Sequence, residues 1–287
     1  MSASSVSHRL YVVGLGFSGL EIARRAQEAG WTVAGSVTTA EKAARLTAEG
    51  IATEVLSPDS TALRAATHLV CTVAPESQGD PVLSLVRHAP VKWFGYLSTT
   101  GVYGDRGGGW VDETDEPRPG QARSKSRLDA EREWRAAGRK AGVPVAVFRL
   151  PAIYGPGRSA LDQVLDGRAH CVNKPGQVFS RIHIADIAGA VLAAMNRNAD
   201  GIYNVCDDEP CPQHEVIAFA CKLLGRPAPT LVPWEQAAPT MSAMARSFYE
   251  ENRRVRNERL KRELGVALKY PTYRDGLSAI AAQRKQP

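Results

Sequence analysis

The sequence predicts an α/β protein: a doubly wound parallel sheet followed by a small C-terminal lobe. Three observations carry this. Up to about residue 205, short apolar runs alternate with amphipathic stretches. The apolar runs are continuous, as in strands buried on both faces, and glycines or capping residues stand at the junctions. Such alternation implies helices on both faces of the sheet and ligands at the carboxyl ends of its strands.

In order, "RLYVVGLGFSGLEIARRAQEAG" reads as a strand, a glycine turn and an amphipathic helix closed by Gly30. "WTVAGSV" is a second strand. "TTAEKAARLTAEG" is a second helix, in which Thr38 and Glu41 have capping-box spacing and Gly50 is the stop. "HLVCTVAP" and "VKWFGYLSTT" are further buried strands, and "DPVLSLVRHA" between them carries Asp80 at the N-cap and Pro81 at the first helical position. A helix opens at "GQARSKSRLDAERE", "VPVAVFRL" makes another strand, and "GIYNVCDD" one more.

Glycine and proline thicken at residues 104–120 and 154–176, which marks loops over a site. From about residue 206 the alternation lapses, but "NERLKRELG" keeps a helix signature, with Asn257 as N-cap, Leu260 and Leu264 one turn apart, and Gly265 as terminator. The expected division is a dinucleotide-binding domain over residues 1–205, with a loop insert at about 155–182, and a substrate-side lobe over 206–287.

A chain of 287 residues with 44% hydrophobic and 23% charged residues is globular in composition. No apolar run approaches the roughly 20 residues that span a bilayer. "MSASSVSHRL" lacks the charged start and long apolar stretch of a secretion signal. Five cysteines without a C-x-x-C pair point to reduced thiols in a cytoplasmic protein, not to a disulfide framework or a metal site. The net charge of +6 admits phosphorylated ligands. It does not indicate nucleic acid: Arg254, Arg256, Arg259 and Arg262 in the densest basic run point in different directions along a helix.

"GLGFSG" supplies G-x-G-x-x-G through Gly14, Gly16 and Gly19, with Phe17 and Ser18 between them. The motif follows a strand and opens a helix, the Rossmann-type context in which backbone N–H groups approach a pyrophosphate. Val73 and Ala74, and Pro151 further on, fall at strand ends that a dinucleotide would pass. An NAD site usually offers an acid about 20 residues on. The second strand instead ends in Ser36, Val37, Thr38 and Thr39, with Lys42 and Arg45 beyond, so the expected cofactor is NADP ahead of NAD. The competing reading is that Thr38 only caps its helix and Lys42 is a solvated side chain.

"YLSTTGVYGD", "SKSRLDAE", "RLPAIYGPGR" and "RIHIADIAGAV" occur in the order seen in extended short-chain dehydrogenase/reductases, and the chain resembles the epimerase/dehydratase type of that family over nearly its whole length. The C-terminal "NRRVRNERLKRELGVALKYPTYRDGL" is similar to the end of these proteins. The resemblance implies an NAD(P)-binding oxidoreductase or epimerase/dehydratase working on a hydroxyl or carbonyl carbon. Thr99 would match the hydroxyl residue that holds the substrate oxygen, and Lys125 the lysine of Tyr-x-x-x-Lys, which lowers the tyrosine's pKa and binds the nicotinamide ribose.

The tyrosine position is Gln121, and residues 111–133 contain no tyrosine. An amide cannot release a proton at working pH. Three explanations compete. In the first, Tyr103 or Tyr154 supplies the phenol, each with the alternative of a packed ring whose hydroxyl is tied to a neighbour. In the second, the substrate, or a carboxylate among Asp112, Glu113, Asp115 and Glu116, handles the proton. Or the protein is a non-catalytic dinucleotide-binding sensor or assembly subunit.

Arg149, Arg158, Arg168 and Arg181 are candidates to meet an anionic substrate. The resemblance makes His183 and Asp186 structural, with Asp186 anchoring or capping a helix and His183 tying loops together. The substrate-side lobe is short, so the expected partner is a small polar metabolite and not a large UDP-sugar. Nucleic acid and membrane are not expected, and a homodimer is left open.

Overall fold

Seven parallel strands form one sheet: β1 (Arg9–Val13), β2 (Thr32–Val37), β3 (Ala52–Val55), β4 (His68–Cys71), β5 (Trp93–Thr99), β6 (Val145–Leu150) and β7 (Gly201–Asn204). Their spatial order is β3-β2-β1-β4-β5-β6-β7. The protein's structure is a computed structural model that describes residues 8–76, 79–86 and 89–284. The leader reading of the N-terminus rests largely on residues 1–7, and the end of the helix expected after Asp80 falls on 87–88; these positions lie outside the described residues.

The sheet is the predicted doubly wound one. From β1 the chain winds outwards through β2 and β3, then returns to β4 on the other side of β1. The strand order reverses between β1 and β4, and that crevice is where such sheets take a ligand. β3 was not anticipated: "ATEV" forms an edge strand that is half exposed, so it lacks the apolar run by which the other strands are read.

Alternate side chains of β1 serve opposite faces. Leu10 and Val12 join the core under α1 (Phe17–Glu28), while Tyr11 and Val13 join the core of the opposite face. α2 (Ala40–Ala48) follows β2. Its N-cap is Thr39, whose hydroxyl accepts from the Lys42 backbone N–H; this corrects the expectation that Thr38 caps it, because the helix begins one residue later. On the second face, α3 (Ala122–Ala141) buries Trp134 against Phe94 and Tyr96. Asp80 takes its expected capping position, accepting from Val82 and Leu83, and also holds the Trp134 indole N–H at 2.7 Å. On the first face, α4 (Ile184–Asn196) lies beside α1, with Ile187 and Val191 in the shared core.

A third hydrophobic cluster draws on both sides of the expected boundary at residue 205. α5 (Gln213–Leu223) contributes Ile217, the insert contributes Leu161 from the helix Ala160–Leu165, and the C-terminal helix contributes Tyr273 and Leu277. Between them run α6 (Ala243–Ser247) and α7 (Glu258–Leu264), followed by the C-terminal α8 (Tyr273–Gln283). α7 returns to the main core through Leu260 and Leu264, and Gly265 ends it in the left-handed region at φ 62°. Asn257 stands at its N-cap, but its side-chain amide reaches Cys206 O and Asp208 instead of the helix. All five cysteines are buried and unbridged. Among the described residues no helix is long and apolar enough to cross a membrane.

Candidate active site and cofactor cleft

The glycine turn sits at the crevice between β1 and β4. Gly14 adopts φ 91°, and a Cβ there would meet Thr72 Oγ1 and Val73 Cγ2 at 2.8 Å. At Gly19 a Cβ would lie 2.2 Å from Gly14 O, so the third glycine lets α1 approach the turn. Gly16 differs: it is exposed and nothing lies within 4 Å of a Cβ built on it. That open space adjoins the N-terminus of α1, which has neither a side-chain cap nor an acid in its first turn. Free backbone donors beside an open volume form a cradle for an anion.

The residues expected around a dinucleotide gather along this edge. Phe17 and Ser18 begin α1, and Ser36 lies buried at the end of β2. Thr38, Thr39 and Lys42 follow at the start of α2, and Val73 and Ala74 after β4. The insert leans over the same edge. A Cβ on Gly155 would sit 3.2 Å from the Phe17 ring, and the Arg158 guanidinium lies 5.5 Å from that ring's centroid. Arg158 therefore places a positive charge beside the helix N-terminus.

Thr99 ends β5 and Pro151 follows β6; with Gln121 they line one cleft of about 260 Å³. Thr99 Oγ1 accepts from the Gly101 N–H at 3.0 Å. Gln121 is the N-cap residue of α3, yet its side chain does not cap. Its amide instead donates to Ser247 O at 2.7 Å. Lys125, one turn along α3, is exposed. Sequence reading missed several groups that share this cleft: Ser124, Arg127, Ser180, Phe248, Glu251 and Arg253. Ser124, Arg127 and Arg253 lie inside segments that had been read as motifs, but Ser180, Phe248 and Glu251 come from stretches outside them.

The structure reassigns several candidates. Tyr103 is wholly buried, its hydroxyl donates to Asn204 Oδ1 at 2.8 Å, and burial pushes its phenol up to about 12. The Tyr154 ring stacks edge-on against His183, its hydroxyl is directed at Thr272 O, and burial likewise raises its phenol. Neither belongs to the cleft of Thr99 and Gln121. The nearby acids do not either: Glu113 accepts from the Asn204 N–H, Asp112 and Asp115 organise their own turn, and Glu116 pairs with Arg118.

Arg149 is a buried core residue, bidentate to Glu131 and stacked over Tyr103, so it is not available to a substrate. Arg181 is buried and spends its donors on Phe179 O, Cys211 O and Gln213, and Arg168 pairs with Asp166 at the surface. His183 and Asp186 are structural, with their expected roles exchanged. His183 Nδ1 caps α4 by accepting from Ala185, while the Asp186 carboxylate ties down the N–H groups of Lys269 and Tyr270.

The pattern of residues 78–206 matches the NAD dependent epimerase/dehydratase family. A conserved protein of unknown function from Silicibacter pomeroyi DSS is 43% identical to this chain, with a TM-score of 0.89 and alignment over 97% of this chain and 100% of that one. The chain belongs to the NAD-dependent epimerase/dehydratase family. The 3-diazoavenalumate denitrifying reductase of a Streptomyces species is 30% identical over 169 residues, and the match spans 57% of this chain and 55% of that relative's length. UDP-glucuronic acid 4-epimerase from Bacillus cereus, solved in complex with NAD, shares the fold at a TM-score of 0.75 and 19% identity over 97% of each chain. Epimerase/dehydratase family members are NAD(P)-dependent, and the cradle at Gly16 is the feature of this chain that fits a dinucleotide pyrophosphate.

Proposed function

We propose that this protein is an NAD(P)-dependent oxidoreductase of the epimerase/dehydratase type, acting on a hydroxyl or carbonyl carbon of a small polar metabolite. The observation that carries the reading is the open volume at Gly16 against the uncapped N-terminus of α1. A bound nicotinamide supplies or accepts the hydride. The α1 N–H groups and Arg158 hold the pyrophosphate, Lys125 binds the nicotinamide ribose, and Thr99 orients the substrate oxygen. With Thr39 occupied as the cap of α2, Ser36, Thr38 and Lys42 are left at the adenosine end, and the strand end carries no acid. This favours NADP over NAD. The proton is assigned to neither Tyr103 nor Tyr154, whose hydroxyls are turned to Asn204 and Thr272. Unpaired cysteines throughout are in keeping with a cytoplasmic setting.

The test needs no known substrate. Lys125 is exposed, so Lys125→Met leaves the fold intact, and we expect it to weaken NADPH binding about tenfold, the scale of one charge-assisted hydrogen bond. Unchanged affinity would reject the placement of the ribose.

A further inference from the structure

The cleft at Thr99 carries more positive charge than hydride transfer needs. Arg123, Arg127 and Arg253 line it, and Glu251 is the single acid among its lining residues. Arg253 and Glu251 pair at 2.7 Å and neutralise one another. Arg123 and Arg127 stand at i and i+4 on α3, a spacing that puts them on one helix face. Neither has a carboxylate partner among the described residues. Arg123 donates to the Met244 sulfur and to Ser247 Oγ, and its guanidinium lies 4.6 Å over the Phe248 ring. Arg127 donates to Leu97 O at 2.8 Å. A guanidinium has five N–H donors, so both retain capacity for a ligand.

A second observation points the same way. Ser180 lines this cleft at 7% exposure, and its hydroxyl has no hydrogen-bond partner. Buried hydroxyls are normally satisfied, so this one marks a place for a polar ligand atom. Much of the remaining wall is apolar, with Phe179 and Phe248 as its large rings. A volume of about 260 Å³ stands at or below the roughly 300–1,000 Å³ of ordinary ligand sites, too little for a nucleoside diphosphate sugar.

We propose that the substrate is a small carboxylate with a planar apolar body, its carboxylate held by Arg123 and Arg127 and its body by Phe179 and Phe248. The proposal deepens the functional reading above and rests on its placement of the substrate beside Thr99. The planar fork of arginine matches a carboxylate edge with two parallel hydrogen bonds. With Glu251 paired to Arg253 through Oε2 and its Oε1 buried without a partner, the other two arginines still leave the cleft lining net positive.

Calorimetric titration of the protein with benzoate and trans-cinnamate, each against its primary amide and against phenyl phosphate, tests this with and without NADPH. The acids should bind at least about tenfold tighter than the amides, the difference expected of a charge-assisted contact. Arg123→Gln and Arg127→Gln should each erase that preference with the circular dichroism spectrum unchanged. Arg127 also supports Leu97 O, so if its variant fails to fold, Arg123→Gln decides alone. Equal binding of acid and amide, tighter binding of phenyl phosphate, or no binding of any probe to folded protein would overturn the proposal. Failure of the cofactor reading shows up separately, as absence of heat when NADPH is titrated by itself.

Discussion

The side-chain amide of Gln121 donates to the backbone carbonyl of Ser247 across 126 positions of sequence, at 2.7 Å. Gln121 thereby fastens the end of the α6 segment beside the cleft that both residues line. Arg123 reinforces the attachment through Ser247 Oγ and the Phe248 ring. Gln121 thus has a holding role in this structure, tying two segments distant in sequence together.

Replacing Gln121 by Ala should loosen that attachment without disturbing the sheet. The expected cost is about 1 kcal/mol, the net worth of one hydrogen bond. Limited proteolysis should then cut faster between Met241 and Glu250, a stretch that includes exposed Met244 and Phe248. Unchanged cleavage would show that Gln121 does not secure the segment.

The glycines of the turn should separate stability from binding. Gly16→Val has φ −88° and open space to enter, so it should keep the melting temperature and lose cofactor binding. Gly14→Val forces a branched side chain into φ 91° and against Thr72, so it should lose the fold as well. Thermal melts beside a cofactor titration distinguish the two. Equal behaviour of the two variants would contradict the assignment of Gly16 to the ligand.

Glu131 and Arg149 form a buried pair, each about 2–3% exposed, with Ser98 also donating to Glu131. Glu131→Gln leaves the guanidinium without its counter-charge, and breaking such a pair costs about 3–5 kcal/mol. Chemical denaturation reads this directly, and a loss below about 1 kcal/mol would show the charge to be compensated in another way.

Burial holds both His68 and His183 down to about 4. Each is neutral in the folded protein, whereas in the unfolded chain it takes up a proton near pH 6.5. Between about 6.5 and 4 the unfolded state binds more protons, so the stability these residues give is complete above that window and is lost as pH falls through it. His183→Gln should flatten the dependence of the denaturation midpoint on pH over this range. An unaltered slope would mean that His183 is not held neutral.

Much of the sheet was legible because its interior strands are buried on both faces and so read as unbroken apolar runs. β3 escaped since it is a half-exposed edge strand whose residues carry no such signal. The glycine turn was legible because steric need fixes glycine at positions 14 and 19; Thr99 lines the cleft, whereas Lys125 is exposed and outside its lining. Tertiary pairing was not legible. Nothing local in "RLPAIYGPGR" tells that Arg149 turns inwards to Glu131, or that Tyr154 faces Thr272. Ser247, Phe248 and Glu251 reach the cleft from a stretch of short helices with irregular connections, where neither period nor motif marks their role.

The most direct test of the account is a calorimetric titration of the purified protein, stripped of any nucleotide, with NAD, NADH, NADP and NADPH. The account predicts saturable one-to-one binding, tighter for the NADP pair and abolished in Gly16→Val. Absence of binding by a folded, nucleotide-free protein, or binding unaffected by Gly16→Val, would contradict it.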